Sequence, residues 1–187
     1  LNRIIIDDVL LDDQSGQEML KVTRLSAKFD IMPFFKGKIS ISSVQLFGFN
    51  INLRKETPDS PPNFKFVLDA FASKDTVKKE NSLDLRINSI LIRRGRMSYH
   101  VLSEEETPGK FNAKHIQLQN IIANISLKAL SKDSLNLGIK RLSLDEKASG
   151  FSLKKMSLKL VANNKQTNID NFTIELPETS LKLDTIH

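Results

Sequence analysis

An eight-residue phrase, apolar-polar-apolar-polar-polar-apolar-polar-apolar, recurs along this chain and limits what it can fold into more than any other feature. It occurs in strict form five times: "LKVTRLSA" from Leu20, "ISISSVQL" from Ile39, "FNAKHIQL" from Phe111, "LGIKRLSL" from Leu137 and "FSLKKMSL" from Phe151. At 40% hydrophobic content, random order would give roughly one such hit. "IIIDDVLL" from Ile4 and "LRINSILI" from Leu85 carry extra apolar residues at polar slots. "TNIDNFTI" from Thr167 starts on threonine, and "LKLDTIH" from Leu181 begins a further copy.

Each half of the phrase alternates as a strand with one buried face does, because successive side chains point to opposite sides. The polar doublet breaks that parity, so a continuous strand would turn its second pair of apolar residues away from the first. One inserted residue, a β-bulge, restores the phase and keeps all four apolar side chains on one face. The other arrangement is a hairpin corner at the doublet. The doublets are Asp7–Asp8, Thr23–Arg24, Ser42–Ser43, Asn88–Ser89, Lys114–His115, Lys140–Arg141, Lys154–Lys155 and Asp170–Asn171. This predicts a mostly β chain: a curled antiparallel sheet of repeated one-sided strands forming an open groove, with one or two short helices.

"GFNINL" after Gly48 and "GRMSYHV" after Gly95 read as second strands joined to the first by short hairpins. "TPDSPPN" cannot lie inside a sheet, and the "FKFVLDAFASK" that follows sets Phe64, Val67, Leu68 and Phe71 at helical spacing, predicting a helix over about 62–75. "DIMPFFKGK" is a second interruption, a short turn or helix, and "EEETPGK" at 104–110 is a polar loop. No composition shift marks a domain boundary, so residues 1–187 read as one β-rich repeat region. A start on Leu1 and an end inside a repeat copy suggest a fragment of a longer array.

The same residues offer little for catalysis. Cysteine is absent, which removes disulfides, thiolate metal sites and cysteine nucleophiles. No serine sits in a G-x-S-x-G context and no glycine-rich phosphate loop occurs. Asp7, Asp8, Asp12 and Asp13 lack calcium-loop spacing. His100, His115 and His187 lack metal-ligand spacing. The chain reads as no enzyme, with no cofactor and no metal. A net charge of +6 is spread along the chain. "RRGR" at 93–96 has only Tyr99 as a nearby stacking ring, which speaks against a nucleic-acid partner. The sequons at Asn124 and Asn171 fall within expected strands. No run of about 18 apolar residues exists to span a bilayer as a helix.

The stretch "IDDVLLDDQSGQEMLKVTRLSAKFDIMPFFKGKISISSVQLFGFNINL" resembles the amino-proximal periplasmic region of the AsmA and TamB superfamily. "PPNFKFVLDAF" resembles the asparagine-led helix that follows that region in Bacteroidetes-type TamB proteins. The resemblance covers about the first hundred residues; beyond Phe111 only the repeat continues it. It implies a long protein held in the inner membrane of a diderm bacterium by an amino-terminal helix absent from this chain. The protein would reach through the periplasm as a trough with an apolar interior, in phospholipid transport and outer-membrane protein assembly.

Two functions follow as expectations. In the first, phospholipid acyl chains lie against an inward aliphatic face lined by Ile39, Ile41, Val44, Leu46, Leu85, Ile87, Ile90, Ile92, Leu137, Ile139, Leu142 and Leu144. In the second, the chain is a scaffold whose open sheet edge adds a strand from an outer-membrane assembly partner protein. A further expectation is that Phe34, Phe35, Lys36 and Lys38 rest on an anionic membrane surface.

Overall fold

The computed structural model describes residues 2–30, 39–72, 85–130 and 134–186. Strands β1 (Asn2–Asp12), β2 (Glu18–Asp30), β3 (Ile39–Lys55), β4 (Leu85–Val101) and β5 (His115–Leu130) are followed by β6 (Ser134–Glu146), β7 (Ser152–Asn163), β8 (Thr167–Glu175) and β9 (Ser180–Ile186). They form one nine-stranded sheet in which each strand pairs with its neighbours in sequence, and β1 does not meet β9. The result is a curled open sheet, not a barrel. Among the described residues one helix, α1 (Lys65–Ala72), lies between β3 and β4, inside the expected 62–75. Residues 73–75, and the "IMPFFKGK" interruption from Ile31 to Lys38, lie outside the described residues.

The sheet is not wholly antiparallel. Strands β3 and β4 run parallel, from Ile39↔Leu85 to Lys55↔Val101, with residues 56–84 between them in sequence. Parallel neighbours need a crossover of a dozen residues or more, and Pro58, Pro61 and Pro62 keep this segment from continuing β3. The expected hairpins at Gly48 and Gly95 do not form either: both glycines lie inside unbroken 17-residue strands. Gly48 has φ +66, and a Cβ on it would meet Thr23 Oγ1 at 2.6 Å.

Pairing registers locate the phase corrections. Between β2 and β3 the register shifts as Lys28↔Ser43 gives way to Phe29↔Ile41, so Ser42 is the inserted residue, and its hydroxyl donates to the Lys28 carbonyl at 3.3 Å. The same two-against-one step occurs at Asn88–Ser89 against β5 and at Lys140–Arg141 against β5 and β7. It occurs again at Lys154–Lys155 against β6 and at Asp170–Asn171 against β7, where Asn171 takes φ 52. Asp7–Asp8 and Thr23–Arg24 lie side by side with no register change, Asp8 taking φ 57. The exception is Lys114–His115. Phe111–Lys114 form a turn in which Asn112 Oδ1 accepts from the Lys114 amide at 2.9 Å, and only His115 onward is strand.

A second set of corrections stands at Phe47–Gly48, Arg93–Arg94 and Gln119–Asn120. Arg94 and Asn120 take φ 53 and 54, the left-handed region that asparagine enters more readily than arginine. The Arg94 guanidinium sits 5.3 Å from the centre of the Phe47 ring. Beside these kinks lies the densest packing, a cluster of Val22, Phe49 and Ile121 joined by Leu25, Leu46, Ile92, Met97 and Leu142 among others. Phe49 and Ile121 meet over Gly95, where a Cβ would lie 2.2 Å from a Phe49 ring carbon.

Candidate functional site

Residues directly opposite one another in paired strands share a face of the sheet, so the registers show which side chains make up each surface. One row crosses all nine strands: Ile6, Leu25, Leu46, Ile92, Ala123, Leu142, Met156, Ile174 and Leu181. A second runs Ala27, Val44, Ile90, Ile125, Ile139, Leu158. A third runs Phe29, Ile41, Ile87, Leu127, Leu137, Leu160, Ile169. Bulges sit at different heights in different strands, yet the rows stay apolar, because each strand corrects its phase where its own sequence requires.

Nine of the twelve expected lining residues fall in these rows. Leu144 pairs with Leu153 and packs against the central cluster. Ile39 and Leu85 pair at the start of β3 and β4, and the description of both stops at the backbone. The other ten are half-buried. Phe34, Phe35, Lys36 and Lys38 lie outside the described residues.

Nothing among the described residues covers this face. Contacts between elements run almost entirely between sheet neighbours, and among the described residues only eight hydrophobic ones are buried. The accessible surface is 13074 Å², whereas a compact 21.1 kDa protein exposes about 9000 Å². A single curved layer leaves that excess.

The opposite face is mainly polar. Arg24 Nε pairs with Asp7 Oδ1 at 2.6 Å across β1 and β2, and Ser98 donates to Asn52 at 3.0 Å across β3 and β4. Ser152 first, and Asn120 second, donate to Asp145 and hold its carboxyl below the ordinary range against the opposing effect of burial. Of the three extra apolar residues at polar slots of the imperfect repeat copies, Ile5 and Leu91 lie in a row with Ser26, Gln45 and Asn124, and Leu10 lies in a row with Lys21 and Asn50, so they point to this polar side.

Two polar clusters escape the repeat pattern. At the β1–β2 turn, Asp13 is 6% exposed, accepts from the Ser15 hydroxyl and from the Ser15 and Gln17 amides, and pairs with Arg54 at the end of β3. With Asn63 and Phe66 they line a pocket of about 410 Å³ beside α1. The Ser15 hydroxyl above all, then the Gln17 amide and Asn63, hold the Asp13 carboxyl well below its usual range against the opposing effect of burial. At the far end of the β4–β5 hairpin, His100 and His115 stand opposite each other with Nδ1 atoms 2.9 Å apart. Burial first, and the neighbouring His115 second, push the His100 pKa down against the pull of Glu106. Sequence spacing hid this pair, since strand register brings the two rings together.

No protein-family model and no curated protein sequence matches the chain.

Proposed function

We propose that this chain is a periplasmic segment of a bridge-like lipid-transfer and outer-membrane biogenesis protein of the AsmA and TamB kind, holding acyl chains on its apolar face. The single observation that carries the reading is the uncovered apolar surface, continuous from β1 to β9. Eight inter-strand spacings of about 4.8 Å give a path of about 38 Å. One phospholipid tail spans about 15 Å, half the hydrocarbon thickness of a bilayer, so the path exceeds twice that length. Each buried methylene contributes about 0.8 kcal/mol. Many shallow contacts of that size hold a chain while letting it slide along rows of Ile, Leu and Val. The polar opposite face faces water. The resemblance of the first hundred residues to that superfamily agrees with this reading and supplies the periplasm, the inner-membrane anchor and the outer-membrane direction. Nothing in the reading requires catalysis.

Photo-crosslinking tests it. A crosslinking residue at Ile90 or Ile139, on the apolar rows, is expected to capture phospholipid, and one at Leu91 or Lys140, on the polar side, to capture none. Equal capture from both faces, or none from either, would sink the proposal. The open edges at β1 and β9 favour a second reading, a scaffold adding a partner's strand. Polypeptide recovered from Ile5 or Lys182, with no lipid from Ile90, would select it.

A further inference from the structure

His115, the first residue of β5, is 8% exposed and its Nε2 lies 2.8 Å from the Glu104 carbonyl oxygen. A carbonyl can only accept, so Nε2 carries the hydrogen and the neutral ring presents a bare lone pair at Nδ1. That lone pair points at His100 Nδ1, 2.9 Å away, and the rings are 5.2 Å apart and tilted by 46°. The loop between them is tied down. Leu102 and Ser103 donate to the Lys55 and Glu56 carbonyls, and Asn112 Nδ2 donates to the Glu105 carbonyl at 3.1 Å. The His115 amide donates to the Asn112 carbonyl at 3.0 Å. This places the next carboxylate, Glu106, so that one ligand atom from each of His100, Glu106 and His115 lies within 4.8 Å of the others.

We propose that His100, His115 and Glu106 form a binding site for a single first-row divalent metal ion of the zinc class. Two imidazole nitrogens and one carboxylate, with a fourth position open to water, make a donor set that zinc accepts. Magnesium and calcium prefer all-oxygen shells. The Nε2–H of His115 on a backbone carbonyl is the outer hydrogen bond that fixes tautomer and ring orientation in metal-bound histidines. Two nitrogens at zinc-bond length around a tetrahedral ion stand about 3.3 Å apart, so the rings need to part by only a few tenths of an ångström. On binding, His100 exchanges its Nδ1 hydrogen for one at Nε2, and the ion replaces the hydrogen bond between the rings. The bound ion would clamp the end of the β4–β5 hairpin to its own loop.

The test is zinc titration by calorimetry into the tag-free, chelator-treated 187-residue chain, repeated with Co²⁺ for its visible spectrum. One equivalent per chain is expected, with a tetrahedral Co²⁺ spectrum. His100→Ala and His115→Ala should abolish it, and Glu106→Gln should weaken it by about tenfold or more. Glu105→Gln and His187→Ala should leave it unchanged. The absence of saturable uptake, or uptake that survives His115→Ala, overturns the site. Should either histidine variant misfold by circular dichroism, Glu106→Gln on its exposed loop still decides: undiminished affinity in that variant overturns the assignment.

Discussion

Gly95 has no side chain because Phe49 and Ile121, from the strands on either side, close over it. Gly95→Ala should therefore overpack the cluster and cost about 1–3 kcal/mol, read as a lowered urea midpoint. Two turn carboxylates act differently. Glu146 is 3% exposed and accepts from the Ser149 hydroxyl and amide and from the Ala148 and Gln117 amides. Burial alone would raise its pKa, but these donors together outweigh burial and lower it. Asp13 is lowered likewise at the β1–β2 turn. A carboxyl depressed by folding stabilises fully above its unfolded pKa, near 4 for these groups, and loses that contribution as pH falls through the folded value. Thermal stability should accordingly decline as pH drops from about 5 toward 2. Glu146→Gln should lose about 1–2 kcal/mol at pH 7 and show a shallower acid decline.

A strand here is a sequence of half-phrases joined by phase corrections, and the parity across each joint matters more than which residues fill it. Lys140 and Arg141 are exposed, so alanine at both should change stability by no more than about 0.5 kcal/mol. Deleting Lys140 and Arg141 together should turn Leu142 and Leu144 to the polar side and cost about 2–4 kcal/mol, measured by the same urea midpoint, whereas deleting Lys140 alone removes the bulge and leaves both on the apolar face. The correction was legible in sequence at most doublets of the eight-residue phrase, as at Ser42–Ser43 and Lys154–Lys155, but Lys114–His115 fell in a turn and the corrections at Arg93–Arg94 and Gln119–Asn120 lie outside the phrase. It was hidden at Phe47–Gly48, where an exposed ring occupies a polar slot and a glycine reads as a turn. Strand direction was not legible, because alternation is the same whichever way a strand runs, so the parallel pairing of β3 and β4 had no signature beyond the length of the segment between them. The His100–His115 pair depends on register across a hairpin, which spacing along the chain does not encode.

In the whole molecule, strands touch almost entirely their neighbours, with Phe49 and Ile121 meeting across β4 as an exception, so stability resembles a sum of local terms more than one shared core. Among the described residues the buried ones concentrate in β2, β4 and β5, whereas β9 is exposed throughout its described side chains. Amide hydrogen exchange should show strongest protection in β2–β5 and early opening of β8 and β9; uniform protection across the sheet would contradict that picture. The lone crossover also settles where the polypeptide departs. Eight consecutive reversals would leave the outermost strands with their free ends on opposite sides, but one missing reversal cancels the difference. Asn2 and Ile186 accordingly share a row, linked through Phe29, Ile41, Ile87, Leu127, Leu137, Leu160 and Ile169. Entry and exit lie on the same flank, leaving the other flank to turns, the histidine loop and the pocket beside α1.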